Sequence, residues 1–298
     1  MAPPVRRASP FVFVGAVVGT VALGVIALPA GAIAAAPSST TTSTTANSTT
    51  TSTTIGTTTT TTAITGTTVT TTPASTTSTT SPALGAAQLL SSALGAASKQ
   101  RAVKWTENLS MDGVTISLQA SSGKADGLRS ETISDGAQSG QVSTILDGGV
   151  AYVRGNYLGL RALMDFTDAA ATGEAGRWIY AQRAKPAEAL VYYSMASGLT
   201  VSSLVAQLPM LGTLTEAPLS VVHGQHVYGV KGDKALDAAV PEVLYVRATG
   251  SHLPVELTSS YKGANATLVF GAWGQPPSVS APPKAVPLAA SWMSAPAS

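Results

Sequence analysis

Three histidines, fifteen carboxylates and no cysteine make up the reactive inventory of this 298-residue chain. His223 and His226 stand three apart in His223-Gly224-Gln225-His226, and His252 is the third. A zinc site needs a third ligand beside such a pair, with a carboxylate or another His close by. The sequence signals none, so a solvated turn is expected and no metal. The absence of Cys removes disulfides, thiolate metal sites, Cys nucleophiles and a lipid-modified N-terminal Cys. A serine hydrolase of the nucleophile-elbow type carries Gly-x-Ser-x-Gly between a strand and a helix, and the chain has no such run. A glycosidase needs two facing carboxylates in a cleft. The acids Asp126, Asp135, Asp147 and Asp233 fall instead at expected turns, where Asp is common for local backbone reasons. Gly148-Gly149 precede a strand and not a helix, so they do not form a phosphate cradle. The expectation is a protein without enzyme activity, cofactor or metal.

Charge is sparse and unevenly placed. Arg6 and Arg7 are the only charged residues before Lys99, so the remaining 15 basic residues balance all 15 acidic ones. The Lys and Arg residues are scattered, which argues against nucleic acid as a partner. Charged residues make up roughly 15% of the last 200 positions, below the roughly 25% usual for soluble domains. Ser, Thr, Gln, Gly and Ala cover the faces that water should reach.

The N-terminal hundred residues read as an address and a tether. Residues 1–36 combine Arg6-Arg7, the apolar run 11–28, Pro29 and the small-residue motif Ala32-Ile33-Ala34. This is a signal peptide or, because the run approaches the roughly 20 residues of a membrane span, an N-terminal membrane anchor. In either case the downstream chain is exported, and localisation is extracytoplasmic, secreted or held at the cell membrane. Residues 37–82 follow as a Ser/Thr-rich stalk. Ser and Thr fill 34 of the 44 positions from 38 to 81, leaving almost no apolar face to bury, so disorder is expected. Such tracts are candidates for O-glycosylation. Asn47-Ser48-Thr49, Asn108-Leu109-Ser110 and Asn265-Ala266-Thr267 match the N-glycan acceptor pattern.

One folded unit is expected over residues 83–283, with 284–298 as a C-terminal tail; the Pro/Ala-rich stretch from Pro276 onward is expected to run over the surface. Residues 83–98 carry Leu84, Leu89, Leu90 and Leu94 at roughly helical spacing; with no charge, most of that helix should be covered. Val114, Ile116, Leu118 and Ala120 alternate with Thr115, Ser117 and Gln119, the period of a strand. Leu128–Ile133, Val142–Leu146 and Val150–Arg154 are further expected strands, separated by Asp-Gly and Gly-Gly turns. The middle reads as helical: Tyr157–Phe166, then a Gly/Ala loop, then Pro186–Ser197 and Val201–Leu211, with Thr200 as N-cap. Strands return at Leu219–Val222, His226–Val230, Val243–Ala248, Leu253–Ser259 and Ala266–Ala272, with one helical turn at Asp237–Val240. Strand runs around a helical insert give an α+β fold.

The stretch from Leu244 to Pro282 carries Tyr245-Val246 before Thr249-Gly250, then Leu253-Pro254-Val255-Glu256, Phe270-Gly271-Ala272-Trp273-Gly274 and Ala281-Pro282, with Ala151-Tyr152-Val153 and Gly176-Arg177-Trp178 upstream. In this order the motifs resemble the mycobacterial-type lipoprotein family, which shares its half-barrel with periplasmic lipoprotein carriers. The resemblance implies a curved antiparallel β half-barrel covered by a few helices over roughly residues 84–283. That family is anchored through an acylated Cys; this chain has none, so its mode of attachment does not carry over.

An apolar cavity between such a sheet and its helices would be lined by Val114, Ile116, Leu118, Leu204, Leu208, Leu253, Val255, Leu257, Leu268 and Phe270. It would suit an acyl chain. The expected function is an exported, non-enzymatic protein that binds a lipid, lipoglycan or other hydrophobic small molecule. The membrane is a partner at the N-terminus if the signal stays uncleaved. The same alternation is also needed merely to fill a core. The alternative is a surface interaction or sensor domain with a closed core, recognising a protein or wall polymer.

Overall fold

The structure is a computed structural model that describes residues 84–234 and 237–293. The apolar run 11–28 and the Ser/Thr-rich tract lie outside the described residues. Among the described residues, no helix is long and apolar enough to cross a membrane.

The chain opens with helix α1 (Ala86–Ser98) and then winds antiparallel strands β1 (Val103–Met111), β2 (Val114–Ser122), β3 (Gly127–Asp135), β4 (Gln138–Asp147) and β5 (Val150–Gly155). Helices α2 (Tyr157–Leu163) and α3 (Asp168–Glu174) lead to β6 (Ile179–Gln182). A 3-10 turn at Pro186–Glu188 then opens into α4 (Ala189–Ala196) and α5 (Val201–Val205). The long strands β7 (Met210–Val222), β8 (Gln225–Lys234), β9 (Asp237–Arg247), β10 (Pro254–Tyr261) and β11 (Ala264–Trp273) follow, and β12 (Val286–Pro287) closes the order.

All twelve strands form one sheet in the order β12-β6-β5-β4-β3-β2-β1-β11-β10-β9-β8-β7. The pairs are antiparallel except β12 with β6. Its two ends, β12 and β7, do not pair, so the sheet is open and not a closed barrel. The two strand runs meet in the middle, where β1 pairs with β11. The turns Asp112-Gly113, Gly148-Gly149, His223-Gly224 and Lys262-Gly263 each hold both residues at positive φ. Two-residue turns of that hand match the twist of the strands they join.

Among the described residues, helices α1 to α5 pack on one face of the sheet. On that inner face Val103, Trp105 and Leu109 of β1 stand beside Ser122, Ala120 and Ile116 of β2, while Lys104, Thr106 and Asn108 between them point outward to water. Two apolar clusters result. One joins α1 and α5 to β1, β2 and β8–β11 through Leu89, Leu90, Trp105, Leu204, Leu244 and Phe270. The other joins α2, α3 and α4 to β4–β6 through Val142, Leu160, Phe166, Ile179 and Met195. Between them the inner face of β3 turns polar at Arg129 and Glu131, which are buried and form an ion pair, while Ile133 keeps it aliphatic toward the hairpin end. The Arg129 Nη1 also donates to the Ser197 carbonyl at 2.9 Å. Beside it, Trp105 Nε1 donates to Ser122 Oγ at 2.8 Å, and Ser122 Oγ donates to the Gly198 carbonyl at 2.5 Å. These bonds tie the sheet to the chain leaving α4.

Several local expectations are corrected. The helix expected over Val201–Leu211 is one short α-helix ending at Val205, and Leu211 lies in β7; Gln207-Leu208-Pro209 ends it, since Pro209 cannot continue an α-helix. The helical turn expected at Asp237–Val240 is strand, because β8 supplies a ladder partner. Val103–Met111 and Ile179–Gln182 are strands that no expectation placed, and the Gly/Ala loop contains α3. Helix α1 is not mostly covered: Ala86, Leu89, Leu90, Ala93 and Ala97 face the core, whereas Ala87, Gln88 and Ser91 are exposed. The segment after 283 does more than run over the surface: Val286 pairs with Ile179, and Leu288 is buried in the second cluster.

Candidate functional site: the inner face beneath α1 and α5

Register places one row of inner side chains across the sheet. From β3 to β8 it reads Glu131, Leu118, Glu107, Leu268, Leu257, Leu244 and Val230. The next row reads Ile133, Ile116, Leu109, Ala266, Ser259, Glu242 and Gly232. Beyond it stand Val114 and Met111, paired at the β1–β2 hairpin, and Tyr261, paired with Ala264 at the β10–β11 hairpin. The two rows thus cross seven strands.

Helical cover is uneven along this bed. Along β2 the inner side chains pass from half-buried at Val114 and Ile116 to buried at Leu118, Ala120 and Ser122. Met111 and Tyr261 are likewise only half-buried. Helices α1 and α5 pack over the Trp105 and Phe270 end, where Phe270 stacks on Trp273 at 5.7 Å between ring centres. The hairpin end extends past them. Thr200 caps α5, its Oγ1 accepting from the Ser203 amide at 3.1 Å. Gly85 donates its amide to Gln88 Oε1 at the start of α1, at 3.3 Å.

The ten expected cavity residues divide by position. Leu118, Leu204, Leu208, Leu257, Leu268 and Phe270 pack into the first cluster. Ile116 packs on its rim, and Val114 stands further out toward the open end. Leu253 and Val255 are buried but lie outside that cluster. A register shift between Pro254 and Glu256 breaks the alternation that would have aligned them with Leu257. A separate open groove of about 870 Å³ runs along the outer side of α1, between Gln88, Ser92, Lys99 and Ser251; none of the expected cavity residues lines it.

Buried carboxylates are the feature that the sequence reading passed over. Glu107, 5% exposed, sits between Leu118 and Leu268. Burial, reinforced by the neighbouring Glu131 charge, pushes its pKa up to about 8, against the opposing pull of Lys234 and Arg129. Glu242 is 2% exposed, and burial pushes its pKa up to about 7, again against Lys234. The Lys234 side chain therefore reaches the field of both acids, although β1 and β9 are separated by two strands. A signal for both was present. Val103, Trp105, Glu107 and Leu109 keep strict period two, as do Glu242, Leu244 and Val246, once an acid is allowed on the apolar face.

No protein-family model matches the sequence, and no curated protein matches it. Among solved structures, the chain is similar to LprF from Mycobacterium bovis, at 12% identity and a TM-score of 0.44, covering 66% of this chain and 96% of that one. It is similar to the lipoprotein LppX from Mycobacterium tuberculosis, at 15% identity and a TM-score of 0.40, covering 64% and 98%. A chain of the Pseudomonas aeruginosa MucA/MucB complex follows at 15% identity and a TM-score of 0.32, covering 65% and 58%. Similarity at this level assigns the chain to no family.

The histidines do not converge. His223 Nε2 lies 2.7 Å from Glu256 Oε2 at the β7–β8 turn, and His252 Nδ1 lies 2.9 Å from the Arg247 carbonyl oxygen. Among the described residues, no three His, Cys, Asp or Glu side chains are grouped to hold a metal ion.

Proposed function

We infer that the chain is an exported, non-enzymatic carrier that holds the acyl part of a lipid against the inner face of a curved half-barrel. The stalk and N-terminal segment would keep the domain near a membrane. One observation supports this reading above others: the aliphatic bed continues past its helical cover, so Met111, Val114, Ile116 and Tyr261 remain half-buried at the hairpin end. A filled core has no need of apolar side chains beyond its lid. An acyl chain laid along that row would bury apolar surface at about 25 cal/mol per Å², less the cost of ordering it.

A second reading has its own observation. Leu204, Leu208, Leu257 and Leu268 are almost wholly buried by neighbouring side chains, as in a closed core. On the other half, Leu190 and Tyr193 of α4 are exposed, with Arg183 over the Tyr193 ring at 6.0 Å. A surface interaction domain would present such a patch. Native mass spectrometry of the purified full-length chain, with uptake of a fluorescent acyl probe, separates the two. The carrier reading expects retained lipid or saturable uptake. Absence of both would leave the interaction domain.

A further inference from the structure

Glu242 and Ser259 are register partners on β9 and β10, and both point to the inner face beside Leu244 and Leu257. Ser259 is 5% exposed, Glu242 less still. Among the described residues, neither Glu242 Oε2 nor Ser259 Oγ has a hydrogen-bond partner. Buried polar atoms are nearly always paired, and each exception calls for a cause. Two adjacent exceptions on neighbouring strands, at the edge of an aliphatic bed, fit one missing polar group between them.

We propose that the Glu242–Ser259 pair selects a neutral lipid with a free hydroxyl group, of the acylglycerol kind, over a fatty-acid anion. The proposal rests on the carrier reading above. An alcohol both donates and accepts. It can donate to Glu242 Oε2 and accept from the Ser259 hydroxyl, completing both atoms. A carboxylate headgroup only accepts. It would meet the Glu242 carboxyl directly. Lys234, whose charge reaches Glu242, acts on Glu107 as well.

The test uses the full-length chain loaded with a fluorescent acyl probe and displaced at pH 7 by 1-monooleoylglycerol, oleate or oleylamine, which share one acyl length. Monooleoylglycerol should bind about tenfold more tightly than oleate, the effect of one additional satisfied buried hydrogen bond. Ser259→Ala, which deletes only an unpartnered hydroxyl, and Glu242→Leu should bring that ratio close to one. Glu242→Gln keeps a donor and an acceptor and should preserve it. Equal or tighter binding of oleate overturns the proposal, as does tighter binding of oleylamine, which would mark an ionised acidic site. A ratio unchanged in both Ser259→Ala and Glu242→Leu also overturns it. If none of the three displaces the probe from a folded chain, the carrier reading fails and takes the proposal with it; equal displacement by all removes the headgroup selection alone.

Discussion

The two halves of the inner face are built from the same kind of strand but are closed differently. Over β4–β6 the helices press onto the sheet at backbone distance. Asn156 clips α2 to β4, its Oδ1 accepting from the Gln141 and Gly159 amides at 3.0 and 2.8 Å and its Nδ2 donating to the Ser139 carbonyl at 3.1 Å. A Cβ at Gly159 would stand 2.2 Å from the Gln141 carbonyl oxygen. Phe166, Leu160 and Ile179 are wholly enclosed, and Trp292 and Met293 of the C-terminal segment pack beside them. Over β8–β2 the lid is an Ala- and Leu-rich helix and one short α-turn, and the bed outruns both. The first half is a sealed core. The second combines half-buried aliphatics with buried acids. A lid that approaches at backbone distance leaves no room for a guest, whereas one resting on side chains can part from the sheet by rotamer changes.

The sharpest way to break this contrast is in the sealed half. Phe166→Ala should cost about 3–5 kcal/mol, the usual loss for an enclosed aromatic, with acyl-probe affinity per folded molecule unchanged. Denaturant midpoints with parallel probe titrations measure both. A comparable loss of probe affinity would show that the two halves act as one.

Next in size is the pH dependence, which belongs to the open half. Glu107 carries a folded-state pKa of about 8 against an ordinary value of 4.5. The folded chain therefore binds the proton more tightly than the unfolded chain between those values, and stability falls as pH rises through that window. Glu242, at about 7, adds in the same direction. Between pH 5 and pH 9 the loss should be on the order of a few kcal/mol. Glu107→Gln should flatten most of the slope in a series of melts. A slope of the same size in that variant would place its origin elsewhere.

The seam between the halves should be intermediate. A Cβ at Gly127 would lie 2.1 Å from the Leu199 carbonyl oxygen. Gly127→Ala should destabilise by about 1–3 kcal/mol through forced backbone displacement, read as a lowered melting temperature. A neutral result would mean that the sheet and the segment between α4 and α5 move apart readily.

The smallest stability effect, and the sharpest functional one, is expected at the hairpin end. Val114→Gln should change stability by no more than about 0.5 kcal/mol, because the amide reaches water. Probe uptake should nevertheless fall. The same exchange at Leu118 buries the amide and should cost a few kcal/mol. Equal, large losses at both positions would show that the bed is closed along its whole length.

The residue pattern by itself determined the class of fold and most of its strands. Alternation in Val114–Ala120 and Ala266–Phe270 forces one face inward, because the side-chain period of a strand is two. Turn residues such as Asp147-Gly148-Gly149 fixed where the strands reverse, since only certain residues tolerate positive φ. Local pattern failed where a partner decides. The 237–240 segment is a strand because β8 lies beside it, and Val286–Pro287 joins the sheet because β6 presents an open edge. Strand β1 was obscured by an acid on its apolar face, so Glu107 hid both the strand and itself. Of the candidate site, the aliphatic residues could be read from the chain, but their shared surface could not. Register joins Leu118 to Leu257 across two intervening strands, and a shift beside Pro254 separates Val255 from both. Only the tertiary structure placed Glu107, Glu131, Glu242 and Ser259 on that same face. Which side of a strand is buried depends on what packs over it, and the helices that do so lie far away in sequence.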